Sequence, residues 1–318
     1  MQGGAQRPSG GRAGAEVMSA ALQGDARTAS PFDPDNASGY RRWREKKLAA
    51  YPESLSALSV EIGDPRALTA AEGEAFLAAL RRANLVVYAC GVHATDPDIP
   101  RALGRQFGVD RLDRNFLADD DGVSRVTVAG EAARGEFIPY TNRPIGWHTD
   151  GYYNPPDRRI RAMLLHCVRP AAAGGENTLL DHEVAYLLLR DEDPAHVRAL
   201  MQPDALTIPA REDDDGIARP AETGPVFSIE LENGALHMRY TARTKSIEWK
   251  RDPTVEAAVA ALGRLLAAPS PYHHRVTLGP GMGVLCNNVL HDRTGFVDDA
   301  EAPRLLYRAR YYDRVAGT

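Results

Sequence analysis

The sequence predicts an α+β fold with a β-rich core. Three observations support that class. Helix-patterned segments come first, a series of short strand-like runs follows, and one long amphipathic stretch interrupts those runs. After "SPFDPDN" (30–36), "YRRWREKKLAAYP" (40–52) has the pattern of a short amphipathic helix. "LTAAEGEAFLAALRRANL" (68–85) opens on a capping box, Thr69 with Glu72, and sets Phe76, Leu77 and Leu80 on one face. "LVVYAC" (85–90) and "IRAMLLHC" (160–167) are short apolar runs of the kind that form buried strands. "IPRALGRQFG" (99–108) reads as a helix stopped at Gly108. "TVEAAVAALGRLLAA" (254–268) spaces Val255, Val259, Leu262 and Leu266 as a helix does. "RVTL", the turn "GPGMG" and "VLCNNVLH" (275–291) predict a strand–turn–strand unit, and "RLLYRARYY" (304–312) a final strand. The acidic runs 119–121 and 212–216 read as solvated loops.

The 318 residues fit one elaborated domain over 31–318, preceded by a disordered tail at 1–30 that is rich in Gly, Ala, Arg and Ser. That tail lacks the apolar core of a signal peptide. A hydrophobic content of 43% suffices for a packed core, and no apolar run is long enough to span a membrane. A net charge of −5 gives no reason to expect nucleic acid as a partner. Cys90, Cys167 and Cys286 form no CxxC pair, which argues against a disulfide framework and for a reducing, cytoplasmic setting. A homo-oligomer is compatible with this chain.

The stretch "IGWHTDGYYN" (145–154) carries the chemistry. On a strand, residues two apart face the same side, so His148 and Asp150 present an imidazole and a carboxylate to one ion. A third ligand has to come from elsewhere, and His291 in "NNVLHDRTGF", at the end of a late strand, is the best candidate. Two histidines and one carboxylate on one face of an octahedron form the facial triad of non-heme Fe(II) oxygenases, which leaves positions open for co-substrate and O₂. His166 lies in an apolar strand and reads as a core residue, and His93, His182, His196 and His237 have no partner at ligand spacing. Such iron sites commonly use 2-oxoglutarate, whose distal carboxylate calls for a fixed Arg fork. Arg304, at the start of the strand after His291, is placed for it, and the hydroxyl of Thr178 in "GGENTLL" is placed to share the task.

The combination "WHTDGYY", "LLHCVRPAAAGGENTLLD", "HDRTGF" and "RLLYRARYYD" resembles the taurine dioxygenase / clavaminate synthase superfamily, and its γ-butyrobetaine-hydroxylase-like branch in particular, over roughly residues 60–315. The resemblance implies a double-stranded β-helix, a jelly-roll core with flanking helices. It implies His148, Asp150 and His291 as Fe(II) ligands, and Arg304 and Thr178 as holders of 2-oxoglutarate, although "GGENT" has one residue more than the usual GGDT. It implies that a small polar substrate is hydroxylated while 2-oxoglutarate and O₂ become succinate and CO₂. Desaturation, cyclisation or epimerisation on the same site, and a non-catalytic small-molecule-binding protein on the same barrel, stay open as alternatives. Related halogenases lack the carboxylate of the triad, so Asp150 argues for oxygenation.

Strand alternation from Arg304 places Arg308 and Arg310 on the same face, Arg308 about 13 Å along at about 3.3 Å per residue. An R-x-x-x-R pair resembles that of taurine dioxygenase, whose second Arg holds a sulfonate, so Arg308 becomes a candidate for a substrate anion, helped by Arg310 or Arg243. Tyr140 corresponds to a tyrosine of the trimethylammonium cage in γ-butyrobetaine hydroxylase. Arg310 stands where that cage has a further tyrosine, which argues against a quaternary ammonium substrate. Asn142, Arg143, Tyr152 and Tyr153 complete the candidate pocket. Residues 205–250, ending in "YTARTKSIEWK", are expected to form a lid.

Overall fold

The computed structural model describes residues 30–92, 95–113, 122–128, 138–213, 216–243 and 247–318. The tail expected at 1–30, Ser30 excepted, the acidic run 119–121 and His93 lie outside those residues. Helix α1 (Ala37–Ala50) starts ahead of its amphipathic pattern because Asn36 caps it, accepting the Gly39 N–H at 2.9 Å. Strand β1 (Ser59–Ile62) precedes α2 (Ala70–Ala83), which begins on the expected capping box. The Glu72 N–H reaches Thr69 Oγ1 at 3.3 Å, and the Thr69 N–H reaches the Glu72 carboxylate at 2.7 Å. Then come β2 (Leu85–Cys90), α3 (Ile99–Gln106), β3 (Ser124–Val126), β4 (Ile145–His148), β5 (Ala162–Arg169), β6 (Ala173–Gly174) and β7 (Asn177–Leu180).

Two helices follow that the periodicity reading did not isolate, α4 (His182–Glu192) and α5 (Pro194–Leu200). Their signals are local: Asp181 and Asp193 cap them, and Pro194 takes the first turn of the second. The segment expected to be a lid contains β8 (Leu206–Ile208), β9 (Arg211–Asp213), β10 (Gly216–Arg219), β11 (Glu222–Gly224), β12 (Phe227–Ile229), β13 (Leu236–Met238) and β14 (Glu248–Trp249). Helix α6 (Pro253–Ala267), β15 (His274–Val276), β16 (Met282–Cys286), β17 (Leu290–Arg293), β18 (Phe296–Val297) and β19 (Leu305–Tyr311) complete the order.

The main sheet has six strands in the order β1-β2-β16-β5-β19-β3, and a second has four, β15-β7-β17-β4. The expected strand–turn–strand unit is therefore divided: β15 and β17 belong to the four-stranded sheet, and β16 between them to the six-stranded one. The second crossing is made at Asn288, whose left-handed φ of 51° ends the strand that "VLCNNVLH" suggested. Helices α2 and α3 cover the large sheet through Phe76, Leu80, Leu103 and Phe107. A separate core joins α1 and α4–α6 through Tyr186, Leu200, Val255 and Leu262, and takes Leu206, Phe227 and Leu236 from the 205–250 segment.

One buried ionic cluster ties α1 to α4. Lys47 Nζ lies 2.6 Å from both Asp181 and Glu183, and Asp181 also accepts from Asn84 at 3.0 Å. Replacing Lys47 with Met should cost about 3–5 kcal/mol in denaturant unfolding, because two buried carboxylates lose their counter-charge. Burial pushes Glu183 up, but Lys47 outweighs it and brings the carboxyl down to about 2. The stabilisation from that depressed group is present above its ordinary value of 4.5 and is lost as pH falls toward about 2. An acid-unfolding midpoint unchanged in Lys47→Met would refute this assignment.

Candidate metal centre

Strand β4 forms one edge of the four-stranded sheet, and His148 on it sits directly opposite His291 of β17. Opposed residues on neighbouring strands share a face, so the rings meet with centroids 4.2 Å apart. Asp150 lies just past the end of β4. The ligand atoms of His148, Asp150 and His291 all fall within 4.8 Å of one another. Each imidazole Nδ1 lies 3.0 Å from a carbonyl oxygen two residues earlier, Gly146 for His148 and Val289 for His291. Those contacts assign the proton to Nδ1 and leave each Nε2 lone pair free for an ion.

Asp150 is only 5% exposed. Its Oδ1 is 3.4 Å from Arg308 Nη1, and its Oδ2 is buried with no partner. A buried carboxylate oxygen left unsatisfied is costly, and beside two free imidazole nitrogens an ion is what would satisfy it. The donor set of two nitrogens and one carboxylate fits a facial-triad iron. The protonation states fit as well. Burial, reinforced by His291, lowers His148 to about 3, although one edge of its ring opens to the cavity. Burial raises Asp150, but Arg308 and Arg310 outweigh it and hold the carboxyl well below its usual range. Both groups are thus in their ligating forms at neutral pH.

A cavity adjoins the triad and takes its walls from both sheets. His148, Asn177, His291 and Arg293 come from the smaller sheet, and Leu165, Arg304, Leu306 and Arg308 line it from the larger sheet and the approach to β19. Arg304 is 4% exposed, and among the described residues its guanidinium makes no ion pair. It lies 4.9 Å from the Phe296 ring centroid, with Arg293 4.8 Å away on that same ring. Burial lowers Arg304, and burial, with Arg304 next, lowers Arg293 to about 10. Arg293 is not open to a ligand in the same way, since it donates to the carbonyls of Thr141 at 2.8 Å and Arg143 at 2.6 Å. Sequence reasoning missed it, although its place two residues after His291 predicts the shared face.

Thr178 is not where the 2-oxoglutarate assignment needs it. It pairs with Asp292 and Arg275, on the face of β7 opposite to Asn177, which pairs with Arg293 and lines the cavity. The extra residue in "GGENT" shifts the alternation by one, and that flips the side chain across the sheet. The expected substrate arginines are also partly committed. Arg310 pairs with buried Asp113 and donates to the Tyr153 hydroxyl at 3.0 Å, so it is not available to a substrate. Arg308 faces the cavity as expected but leans on Asp150, with its Nε buried and unpaired. Tyr140 is buried in a short 3₁₀ turn, and Asn142 is exposed with its carbonyl accepting from the Phe296 N–H at 3.1 Å. Exposed Arg243 follows Thr241, which bridges to His148 across the sheet edge. Burial raises the pKa of the Tyr152 hydroxyl, and the nearby Arg243 guanidinium opposes that rise.

A family model described as "Taurine catabolism dioxygenase TauD, TfdA family" matches residues 46–310. The chain belongs to the TauD/TfdA family. A uridine-5'-phosphate dioxygenase of an Amycolatopsis species is 34% identical over 169 residues, spanning 52% of this chain and 60% of that relative. A Streptomyces protein of the same name is 34% identical over 200 residues, spanning 60% and 69%. This TauD/TfdA chain thus matches less than two thirds of the Amycolatopsis relative. Among solved structures, asparagine oxygenase in complex with Fe(II), 3-hydroxyasparagine and succinate superposes with a TM-score of 0.56 at 16% identity, covering 94% of this chain and 91% of that one. The non-heme iron oxygenase OrfP in complex with Fe and α-ketoglutaric acid superposes at 0.54 and 16%, covering 77% and 80%. At such identities the structural likeness establishes the fold of this family member and nothing finer. No helix among the described residues is long and apolar enough to cross a membrane.

Proposed function

We propose that this TauD/TfdA member is an Fe(II)/2-oxoglutarate-dependent dioxygenase that hydroxylates a small anionic substrate, with a nucleoside monophosphate as the leading class. The observation that carries the reading is the unsatisfied Asp150 Oδ2 beside the two free Nε2 atoms of His148 and His291. Those three atoms would hold Fe(II), which when bound supplies the coupling of 2-oxoglutarate decarboxylation to O₂ activation. We take residues 31–318 as one domain, with the two larger sheets closing as a double-stranded β-helix. The segment 205–250 is the lid-like insertion, anchored on the helical core through Leu206, Phe227, Leu236 and Tyr240. The order of motifs supports a γ-butyrobetaine-hydroxylase-like ancestry, but Arg310 in place of an aromatic wall and the names of the curated relatives support an anion rather than a quaternary ammonium.

The chain's own residues divide the work. Arg304 meets the distal carboxylate of 2-oxoglutarate, and Asn177 rather than Thr178 assists. Arg308 keeps Asp150 ionised and oriented. With Arg310 spent on Asp113, exposed Arg243, two residues after the Thr241 that bridges to His148, takes the phosphate with the Tyr152 hydroxyl. The role of Asn177 is testable by itself. Asn177→Ala should raise the 2-oxoglutarate KM roughly 10–100-fold, the value of about one hydrogen bond to a charged group. Thr178→Val should leave that KM unchanged, and the opposite ranking would restore the Thr178 assignment.

The function itself is tested by anaerobic loading with Fe(II), then measurement of succinate formed from 2-oxoglutarate and O₂. Uridine, cytidine and adenosine monophosphates, their nucleosides, amino acids and sulfonates form the panel. Phosphorylated members should stimulate turnover and nucleosides should not. Product mass distinguishes gain of one oxygen from loss of two hydrogens (desaturation or cyclisation) and from no change (epimerisation). Metal binding without any succinate would instead identify a binding protein.

A further inference from the structure

Asn288 sits in the turn where the chain passes from the six-stranded sheet to the four-stranded one, three residues before His291. It is 3% exposed and one of two non-glycine residues with positive φ among the described residues. Its side chain is fully used. Oδ1 accepts the Asp150 N–H at 2.8 Å, while Nδ2 donates to the Asp150 carbonyl at 2.9 Å and to the Ile160 carbonyl at 2.8 Å. The amide cannot be flipped, because that would set Oδ1 against two carbonyl oxygens. The carboxamide thus replaces a strand partner for the backbone of Asp150 and ties it to both Ile160 and the turn leading into His291.

The neighbouring Asn287 looks the other way. It accepts the Val315 N–H at 3.2 Å and donates to Asn84 at 3.0 Å and to Thr318 at 2.9 Å. None of those groups touches the triad. The two asparagines share a turn, a residue type and similar burial, and differ in whether they grip a metal ligand.

We propose that Asn288 is a positioning residue that fixes Asp150 relative to His291, so that the facial arrangement exists before an ion arrives. The proposal rests on the metal-site reading above. Partners that orient ligands typically contribute roughly 10–100-fold to metal affinity. A left-handed φ strains alanine, so glycine is the informative replacement: it removes the clamp and keeps the backbone free.

The test titrates the metal-free protein with Fe(II) anaerobically, follows the visible charge-transfer band on adding 2-oxoglutarate, and records the thermal midpoint of each metal-free form. Asn288→Gly should raise the Fe(II) dissociation constant at least about tenfold and shift or weaken the band. Asn288→Asp, which keeps the acceptor arm but sets a carboxylate oxygen against the two carbonyls that Nδ2 served, should lose affinity at least as far as Asn288→Gly. Asn287→Ala should lower the thermal midpoint while leaving affinity and band as in wild type. Wild-type affinity in Asn288→Gly, or equal loss of affinity in Asn287→Ala, would overturn the proposal. Should Asn288→Gly fail to fold, Asn288→Asp decides, and wild-type affinity there overturns it. If wild type itself binds no Fe(II), the metal-site reading fails instead.

Discussion

Asp150→Ala and His291→Ala should each lose Fe(II) affinity by more than the roughly 100-fold that a mere orienting partner costs, and turnover with it. Both residues offer an atom that no other described residue supplies to the triad. Asp150 Oδ2 is buried and unpaired, and the Nε2 of His291 is freed by the contact of Nδ1 with Val289. The two variants should differ without metal. Alanine at 150 also deprives Arg308 of its carboxylate, and leaving one member of a buried pair uncompensated costs about 3–5 kcal/mol, less here because the pair is long at 3.4 Å. Thermal unfolding separates the effects. Fe(II) at about 100 times its dissociation constant should stabilise wild type by about 2.7 kcal/mol and neither variant measurably. Fe(II) binding like wild type in both variants would sink the triad.

Arg304→Leu should raise the 2-oxoglutarate requirement roughly 30- to 1,000-fold and leave Fe(II) affinity within a few-fold. A bidentate charge-assisted pair contributes roughly 2–4 kcal/mol, and among the described residues no carboxylate forms an ion pair with the guanidinium, although Asp298 acts on it electrostatically. Phe296 holds the group from one side, so the fork is already oriented. Leucine keeps the apolar contact with Phe296 and removes only the charge. Unchanged half-saturation by 2-oxoglutarate, measured as succinate formed, would reassign the co-substrate end of the cavity.

Much of this site was legible because it rests on short-range periodicity. The two-residue spacing brings His148 and Asp150 together even though Asp150 lies past the end of β4, and the same-face rule orients Arg304 and Arg308 toward one cavity. It failed at Thr178, where one added residue reversed the alternation and put Asn177 inside. It also could not supply the partners of Arg308 and Arg310. Their carboxylates lie 158 and 197 positions away along the chain, and no local pattern encodes a contact at that separation. Helices α4 and α5 were missed for a different reason. Each is short, and their boundary is written in caps and a proline rather than in a long apolar period. The passage of β16 and β17 into different sheets depends on the conformation of Asn288, a backbone choice that residue type permits without dictating.

The pairing of β19 with β5 has a consequence for how the protein is made. These two strands are neighbours in the large sheet, yet the whole stretch 170–304 is synthesised between them. Until β19 emerges from the ribosome, β5 has an open edge with unpaired amides and a fully buried apolar run, Ala162 to Leu164, still uncovered on that side. Sheet closure is then a late, long-range event, and the nascent chain is exposed to aggregation while residues 170–304 are being added. The same step delivers Arg308 to Asp150, so a chain halted before β19 would carry the three candidate ligands without the cation that holds the carboxylate in place.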